Sequence, residues 1–445
     1  MNAPICDFVR DYAARQALRL HMPGHKGRGP LGVEALDITE IPGADSLYEA
    51  SGVIRESEEN ASRLFGCPTL YSTEGSSLCI RAMLYLALMH AKERGRKPRI
   101  VAGRNAHKIF LSAAALLDLD VIWLNPGPGD SYLSCSVSAD ALDAVLDGMN
   151  APAAVYLTSP DYLGNTVDIA AIAEVCHRRD VLLLVDNAHG AYLRFLPASR
   201  HPIDLGADLC CDSAHKTLPV LTGGAYLHLS PAAPQLCHAQ ARTALALFGS
   251  TSPSYLILQS LDAVNLALGS GYRENLARFA AEVEALKACL IEKGWLLQGD
   301  EPLKLTLRAK PRGHTGTGLA QALEQKNIVC EFADPDFLVL MLTLEVGSEC
   351  LARLEVTLDA LPVCPAIQDE PPVFQPAARA LSIREAALSP CETLPVERCL
   401  GRVLAAATVG CPPAVPILVC GERIDEHALA CFRYYGIETC TVVRE

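Results

Sequence analysis

From residue 68 onward, short apolar runs alternate with helix-length amphipathic stretches such as Ser76–Arg94 and Ile169–Arg179. Strands that alternate with helices form a parallel sheet with helices on both faces. The pattern therefore predicts a large, doubly wound α/β domain with a seven-stranded, mainly parallel sheet. The last two runs are joined by a short connection, which favours an antiparallel pair at the sheet edge. The seven runs are Thr69–Thr73, Arg99–Gly103, Val121–Asn125, Ala153–Thr158, Val181–Asp186, Asp208–Asp212 and Ala225–Leu229.

The rest of the chain predicts three further segments. Residues 1–60 are irregular and rich in Pro and Gly, so we expect an N-terminal arm that lies across another surface. The large domain then takes 61–260, a smaller α/β domain takes 261–365, and a C-terminal subdomain follows a Pro-rich joint at 366–445. The elements predicted after the large sheet are one or two helices within 253–294, strand Leu303–Arg308, helix Gly318–Gln325, strands Ile328–Phe332 and Phe337–Leu344, and helix Ser348–Leu361.

Composition narrows the class of protein. The 445 residues are half hydrophobic and carry a net charge of −13, which predicts a large core and argues against nucleic-acid or anionic-membrane partners. No apolar stretch is long enough to span a membrane, and Met1–Arg19 is too charged for a signal peptide, so we expect a cytoplasmic protein. The 18 cysteines are scattered without a C-x-x-C pair. We expect most of them to be small buried residues, with neither a disulfide framework nor a metal site.

A candidate phosphate site follows the first predicted strand. Ligands of open parallel sheets bind beyond the carboxyl ends of the strands, and here Thr73-Glu74-Gly75-Ser76-Ser77 opens a helix. Backbone N–H groups and two hydroxyls at a helix start suit a phosphate group, although a plain serine N-cap would give the same pattern. The glycine-rich fingerprints of mononucleotide and dinucleotide sites are missing.

Three more strand ends carry residues with useful chemistry. His107 could stack on an aromatic ligand or shuttle protons, or it could cap a helix. Asp186 ends a buried run, where a carboxylate is costly unless it meets a cation or a proton donor. Lys216 precedes Pro219 and a glycine pair, so it is either a nucleophile in a cavity mouth or a surface lysine beside a turn. A phosphate cradle, an Asp and a Lys in this order suit pyridoxal phosphate, since they match its phosphate, pyridine nitrogen and aldehyde.

With these motifs the chain resembles the Orn/Lys/Arg decarboxylase family of fold-type I pyridoxal-phosphate enzymes. The resemblance is to the short form of the family, without the extra N-terminal receiver-like domain, and it covers nearly the whole sequence. The motifs that carry it are L-H-M-P-G-H-K-G (Leu20–Gly27), D-I-T-E-I-P-G (Asp37–Gly43), G-R-N-A-H-K (Gly103–Lys108), D-S-A-H-K (Asp212–Lys216), T-S-P-S-Y (Thr251–Tyr255) and C-P-P-A-V-P-I-L-V-C-G-E (Cys411–Glu422).

The resemblance implies a role for each matching position. Lys216 would bear the cofactor, Asp186 would pair with its pyridine nitrogen, and His107 would stack on its ring. His189 would lie beside the ring near the substrate. The phosphate would be held by Gly75, Ser76, Ser77, Ser213 and His215, and by Thr251 and Ser252 from a neighbouring subunit. Glu422, His25 and Lys26 would lie at the rim of the site.

Three departures from the family pattern alter charges close to the cofactor. Glu74 stands where Asn is common, Asn187 where Glu is usual, and Asp161 and Leu163 where Thr and Tyr are common. None removes the cofactor machinery. A basic substrate needs an acidic group at the far end of its pocket, and Glu74, Asp161 or Glu422 could supply it.

The function implied is α-decarboxylation of lysine, arginine or ornithine, with Lys216, His189 or His107 returning a proton to Cα. The resemblance also implies a homodimer with its site at the interface, and a biosynthetic role in polyamine metabolism is favoured. Two alternatives remain open. An aminotransferase or another lyase would use an Arg such as Arg308, Arg353 or Arg384 for the α-carboxylate. A non-catalytic homologue is the second alternative, and an intact Lys216 argues against it.

Overall fold

The seven apolar runs are the seven strands of a mainly parallel sheet in a computed structural model that describes residues 1–127, 129–407 and 413–445. The sheet order is β1-β7-β6-β5-β4-β2-β3. The predicted fold class is confirmed. The strands are β1 (Thr69–Ser72), β2 (Arg99–Gly103), β3 (Asp120–Leu124), β4 (Ala154–Thr158), β5 (Leu182–Asp186), β6 (Leu209–Asp212) and β7 (Ala225–Leu229).

The antiparallel pair is present, but its position in the sheet was predicted wrongly. β6 and β7 are antiparallel, as expected from their short connection. β7 is not the edge strand, however, because β1 pairs with its other side, also antiparallel. Buried polar side chains also connect β1 with β7. The Thr69 hydroxyl lies 2.9 Å from Nδ1 of His228 on β7, so the two strands are joined by side chains as well as by the backbone ladder.

The chain divides into two compact units, unit 1 (1–95 and 182–276) and unit 2 (96–181 and 277–445). Unit 1 holds β1, β5, β6 and β7, and unit 2 holds β2, β3 and β4. The first nine helices are α1 (Pro4–Ala14), α2 (Val53–Phe65), α3 (Gly75–Glu93), α4 (Lys108–Leu117), α5 (Ala139–Asp147), α6 (Ile169–Arg178), α7 (Ala214–Thr217), α8 (Gln235–Phe248) and α9 (Tyr255–Leu268).

Residues 1–60 are not irregular throughout, because α1 and the start of α2 lie there. Pro4 occupies the first turn of α1, where its missing N–H costs nothing. The α1 N-terminus has no side-chain cap of its own. Instead Asp262, buried on α9, accepts hydrogen bonds from the backbone N–H groups of Ile5 and Cys6, both at 2.9 Å. A carboxylate 256 residues away thus replaces the missing cap, which a reading of the local sequence could not show.

Unit 2 adds two small sheets. One is antiparallel with order β10-β11-β9-β8, and the other pairs β12 with β13. The predicted strand at Ile328–Phe332 is mostly wrong, because the Ile328 N–H donates to the Leu323 carbonyl and closes the end of the preceding helix. The elements are α10 (Tyr272–Glu292), β8 (Leu296–Gln298), β9 (Lys304–Arg308), α11 (Gly316–Glu324), β10 (Phe332–Ala333), β11 (Phe337–Met341), α12 (Gly347–Asp359), α13 (Ile383–Leu388), β12 (Cys391–Pro395), α14 (Glu426–Tyr434) and β13 (Thr439–Val443).

The C-terminal subdomain has its own cluster of buried apolar residues, which includes Leu394, Leu404, Phe432 and Val442. Cys411 and Pro412 of the family-like motif lie outside the described residues. Among the helices of the described ranges, none is long and apolar enough to cross a membrane. The predicted domain boundaries stay predictions.

The turn between β10 and β11 makes stability depend on pH. Burial, with the neighbouring Asp336 carboxylate, raises the pKa of Asp334 to about 6 against two backbone N–H bonds that lower it. A carboxyl with a raised pKa in the folded state penalises folding once it must ionise. We expect Asp334→Asn to stabilise the protein increasingly between about pH 4 and pH 6, by up to about 3 kcal/mol, and constantly above that.

Denaturant unfolding of wild type and Asp334→Asn at several pH values measures this difference. The informative quantity is how the difference in unfolding free energy between the two proteins changes with pH. Its absolute size is less informative, because the new amide group adds an offset that does not depend on pH. Asp140→Asn, at an exposed position on α5, is the control and should give a flat difference. A flat difference for Asp334→Asn as well would show that Asp334 does not titrate in this range.

Candidate active site

Lys216 and His189 meet beyond the ends of β5 and β6. Lys216 lies on the short helix α7 directly after β6, and its Nζ is 3.0 Å from Nε2 of His189. His189 follows β5 and is buried, whereas Lys216 is half-buried. At this distance the two nitrogens share one proton in a hydrogen bond, because one of them must donate and the other accept. The arrangement places a nucleophilic amine beside a group that can hold or pass a proton.

Asp186 ends β5 as a buried carboxylate with hydrogen-bond donors on it. Its Oδ1 accepts the Ala188 backbone N–H at 3.1 Å and the Cys211 thiol at 3.7 Å. Burial, and then the Asp186 carboxylate, raise the pKa of the Cys211 thiol, so the thiol stays protonated and donates. These bonds fix the orientation of a carboxylate that is only 2% exposed.

The phosphate-loop residues of unit 1 lie close together, and their role in holding a phosphate stays a prediction. The Gly75 N–H donates to the Gly223 carbonyl at 2.7 Å, and Gly75 has a φ of +67°, which favours glycine. The Ser213 hydroxyl donates to Ser76 Oγ at 2.8 Å, which joins the end of β6 to the start of α3. Ser76 and its neighbour Ser77 occupy the first turn of α3, where backbone N–H groups have no partner within the helix.

His215 faces the same loop in its neutral form. Burial lowers the pKa of His215, and the adjacent Lys216 lowers it further, so the ring is uncharged at neutral pH. Its Nδ1 lies 3.0 Å from the Gly224 carbonyl and must donate to it. A Cβ at Gly75 would come within 4.0 Å of His215 Cε1, so the missing side chain keeps a space open between loop and ring.

Thr251 and Ser252 are exposed, and their proposed reach to a neighbouring subunit stays a prediction. The structure does explain Glu74, the departure in the phosphate loop. Its Oε1 accepts the Ser250 backbone N–H at 2.6 Å. Glu74 therefore ties the segment that carries Thr251 and Ser252 to the phosphate loop of the same chain.

His107 belongs to unit 2 and caps a helix. It is the N-cap of α4, and its Nδ1 accepts the Ile109 backbone N–H at 3.1 Å. The capping alternative is therefore confirmed, and the proposed stacking on a cofactor ring stays a prediction. His25 and Lys26 lie in the turns of the N-terminal arm, where His25 Nε2 is 3.2 Å from Asp37.

Two of the three acidic residues considered for substrate recognition are buried and already used. The buried Asp161 accepts the Leu163 and Asn165 backbone N–H groups, both at 2.9 Å, so it shapes the turn after β4. Glu422 is buried in an ion pair with Arg104 at 2.9 Å. Glu74 is the one of the three that is exposed.

Sequence reasoning missed a buried network around Asp212. The fully buried Asp212 carboxylate accepts from Asn187 Nδ2 at 2.7 Å, from His201 Nε2 at 3.2 Å and from His228 Nε2 at 3.1 Å. Burial opposes ionisation, but the two histidines outweigh it and hold the pKa of Asp212 below its ordinary value. The departure at Asn187 is thereby explained, because an amide can donate to Asp212 where a glutamate would repel it. The sequence signal that could have indicated this network was Asn187, which stands next to Asp186 where the family usually has Glu.

His201, Cys210 and Asp212 also have the spacing of a metal site, with ligand atoms within 4.8 Å of one another. Their hydrogen bonds favour a different assignment. His201 and His228 each donate the Nε2 proton to Asp212. Burial, followed by the Asp212 charge, raises the pKa of the Cys210 thiol well above its usual range. A protonated thiol is a poor metal ligand. We therefore assign the cluster as a structural hydrogen-bond network around Asp212, the residue that precedes Ser213.

The residues of unit 1 fit pyridoxal phosphate. The half-buried amine of Lys216 matches the aldehyde of the cofactor, and the buried, oriented carboxylate of Asp186 matches its pyridine nitrogen. The hydroxyl-lined start of α3 matches its phosphate. The space that Gly75 leaves open beside His215 is of the kind a phosphate needs. The buried Thr217 Oγ1, next to Lys216, has no hydrogen-bond partner among the described residues, which is a further group that a ligand would satisfy.

Comparisons with known proteins agree with this reading. The family model of the Orn/Lys/Arg decarboxylase major domain matches residues 3–298, and that of the C-terminal domain matches 370–439. An uncharacterized protein YaaO of Bacillus subtilis is 29% identical over 96% of this chain and 93% of its own. An arginine decarboxylase of Halalkalibacterium halodurans is 29% identical over 97% of this chain and 93% of its own.

Solved structures of low identity show the same fold. The lysine decarboxylase LdcF of Francisella novicida superposes with a TM-score of 0.77 at 17% identity, covering 99% of this chain and 81% of that one. A serine palmitoyltransferase of Sphingomonas wittichii gives 0.57 at 13% identity, over 79% of this chain and 82% of that one. With both family models matched along most of its length, the chain belongs to the Orn/Lys/Arg decarboxylase family and is a pyridoxal-phosphate-dependent decarboxylase of a basic amino acid.

Proposed function

We propose that arginine is the preferred substrate of this decarboxylase. The observation that supports arginine over lysine and ornithine is the set of near-full-length relatives named arginine decarboxylase, from Halalkalibacterium halodurans and Bacillus subtilis. The lysine decarboxylases among the solved structures are only 17–18% identical and support the fold alone.

The geometry of unit 1 supports a role for each of these residues. Pyridoxal phosphate supplies, when bound, a protonated ring that accepts the electron pair released from Cα as carbon dioxide leaves. Lys216 would hold the cofactor covalently, and the loop from Gly75 to Ser77, with Ser213 and His215, would hold its phosphate. Asp186 would keep the proton on the ring nitrogen. Either Lys216 Nζ or His189 Nε2, which are hydrogen-bonded to each other, would donate the proton that Cα takes up.

Glu74 is our candidate for binding the cationic end of the substrate, because it is exposed whereas Asp161 and Glu422 are buried. We expect Glu74→Gln to raise KM for arginine about tenfold with little change in kcat, since the lost charge binds substrate and transition state alike. Asp140→Asn is a control for the loss of a surface carboxylate. Unchanged steady-state kinetics of Glu74→Gln would assign substrate recognition to another acid.

We also propose a cytoplasmic homodimer that acts in polyamine biosynthesis. Exposed apolar side chains on the arm support the dimer, because exposed apolar groups favour a partner surface. They are Leu18, Leu20, Met22 and Leu31, which are 68–84% exposed. Light scattering of the purified protein measures the mass directly, and a monomer at micromolar concentration would exclude the dimer.

Carbon dioxide release by the purified, cofactor-loaded protein tests the substrate. Arginine, lysine and ornithine are compared at equal concentrations, with amino-group transfer to a keto acid assayed in parallel. We expect arginine to give the highest kcat/KM. A higher value for lysine or ornithine would replace arginine as the substrate. Transfer without carbon dioxide release would establish aminotransferase chemistry instead.

Asp186→Asn should lower kcat about 10²-fold to 10³-fold, because the neutral amide no longer holds a proton on the ring nitrogen. An amide oxygen can still accept the Ala188 N–H, so the fold should persist. Cofactor binding and kcat are measured separately. A kcat within about threefold of wild type would remove Asp186 from the electron-accepting role.

A further inference from the structure

Cys211 is a buried thiol beside Asp186, the carboxylate proposed to pair with the ring nitrogen of the cofactor. It lies on β6 directly opposite Asp186, the last residue of β5, in the register of these two parallel strands. Paired residues of neighbouring strands project from the same face of a sheet. Cys211 is completely buried and Asp186 is 2% exposed, so the two side chains lie side by side with almost no contact with water.

The Cys211 thiol donates a hydrogen bond to the Asp186 carboxylate. Its Sγ lies 3.7 Å from Asp186 Oδ1, which is within the range of a hydrogen bond to sulfur. Burial, and then the Asp186 charge, raise the pKa of the thiol well above its usual range, so the sulfur keeps its proton. A protonated thiol beside an ionised carboxylate has to be the donor, because the carboxylate can only accept.

A second donor acts on the same carboxylate oxygen. The Ala188 backbone N–H donates to Asp186 Oδ1 at 3.1 Å. The Asn187 backbone N–H donates to the Cys211 carbonyl at 3.0 Å, and this bond fixes the separation of the two strand ends where the thiol and the carboxylate meet. Two donors on one oxygen stabilise the ionised form of the carboxylate and lower its affinity for a proton. Such hydrogen bonds are stronger in a buried position than in water.

The neighbouring cysteine of the same strand lies against a different carboxylate. Successive side chains of a strand point to opposite faces of the sheet, and Cys210 Sγ lies 3.8 Å from Asp212 Oδ1. Cys210 is completely buried, like Cys211. Truncation of either cysteine to alanine removes the same sulfur atom from the same strand. The two positions therefore give a matched comparison, in which only Cys211 is in contact with Asp186.

The basicity of Asp186 decides where the proton of its proposed pair lies. A proton shared between a carboxylate and a pyridine nitrogen stays on the nitrogen only while the carboxylate is the weaker base. Hydrogen bonds donated to the carboxylate keep it the weaker base. The protonated ring is the electron acceptor of the reaction. Loss of the thiol donor would make Asp186 more basic and draw the proton away from the ring.

We propose that Cys211 is a positioning residue of the decarboxylation, which acts through Asp186 and keeps the shared proton on the ring nitrogen of the cofactor. The inference rests on the proposed role of Asp186. Because Cys211 is completely buried, it would act without touching the substrate. The competing assignment is a small buried side chain that only fills space.

Infrared absorption of the S–H stretch tests the hydrogen bond in the cofactor-loaded protein. A hydrogen bond that the thiol donates lowers the S–H stretching frequency. The difference spectrum between wild type and Cys211→Ser isolates the band of this thiol from those of the other cysteines. We expect the band to lie below the frequency of a thiol without an acceptor, and to rise in an Asp186→Asn background. A band at the frequency of a non-bonded thiol would overturn the proposal.

NMR of protein loaded with cofactor that carries an isotope label at the ring nitrogen measures the protonation of that nitrogen. Cys211→Ala should move its resonance towards that of a neutral pyridine. It should also lower kcat about threefold to tenfold with little change in KM, which is the effect of losing one hydrogen bond. Cys211→Ser keeps a donor in a side chain of similar size and should recover part of both changes. Cys210→Ala should give the resonance and the kcat of wild type.

Asp186→Asn separates failure of this inference from failure of the role of Asp186. An unchanged resonance in Asp186→Asn would overturn the role of Asp186 and that of Cys211 with it. A resonance that moves in Asp186→Asn but not in Cys211→Ala would overturn the role of Cys211 alone. Equal changes in Cys211→Ala and Cys210→Ala would assign the effect to lost packing and would also overturn it. A thermal melt identifies any variant that fails to fold, and the S–H frequency decides the question if Cys211→Ala is that variant.

Discussion

Lys216→Ala should reduce carbon dioxide release to the background of the assay. The proposed reaction needs an amine that holds the cofactor covalently, and Lys216 is the lysine whose Nζ is positioned 3.0 Å from His189. An alanine has no group that can replace it. Loss of the covalent linkage is read independently from the cofactor absorbance, so the chemical and binding consequences are separated.

Two further variants make this result specific. Lys216→Arg keeps the positive charge but cannot form the linkage under the same conditions, so it should be as inactive as Lys216→Ala. Lys92→Ala, at an exposed position on α3, should retain wild-type turnover. Measurable turnover by Lys216→Ala, with cofactor bound, would exclude the covalent role of Lys216. The alternative that Lys216 is only a lysine beside a surface turn would then be favoured.

The candidate residues that the sequence placed at strand ends do lie there in the structure, while their roles at a cofactor stay predictions. Asp186 is the last residue of a strand, and Lys216 and the phosphate loop follow strands directly, so each position could be predicted from a local run of apolar residues. His107 shows the limit of this reasoning. A histidine before a helix has a local capping function as well, and the structure shows that function.

The parts that could not be predicted depend on residues far apart in the sequence. Asp212 collects donors from Asn187, His201 and His228, which meet only because β5, β6 and β7 are neighbours in the sheet. Asp262 caps α1 from the other end of unit 1 for the same reason. Sequence pattern fixes which residues are buried, whereas the order of strands decides which buried polar groups become partners.

Glu422 shows the same dependence at a separation of 318 residues, since its partner is Arg104 at the end of β2. The Arg104 side chain also donates to the Ile417 carbonyl at 3.2 Å, and Glu422 Oε2 accepts the Val419 backbone N–H at 2.8 Å. Burial raises the pKa of Glu422, and Arg104 opposes that rise. Arg104 is therefore the main counter-charge of this buried carboxylate.

Arg104→Met should destabilise unit 2 by about 3–5 kcal/mol, because it leaves a buried carboxylate without its counter-charge. Arg104→Met combined with Glu422→Gln should recover part of the loss, because the uncompensated charge is gone. Arg379→Met, which breaks the exposed ion pair with Asp120, is the control and should cost about 0–1 kcal/mol. Denaturant unfolding and amide hydrogen exchange of the C-terminal subdomain measure these differences. If the single Arg104→Met variant were as stable as Arg379→Met, the ion pair would contribute nothing to holding the subdomain, and its apolar cluster alone would have to explain its stability.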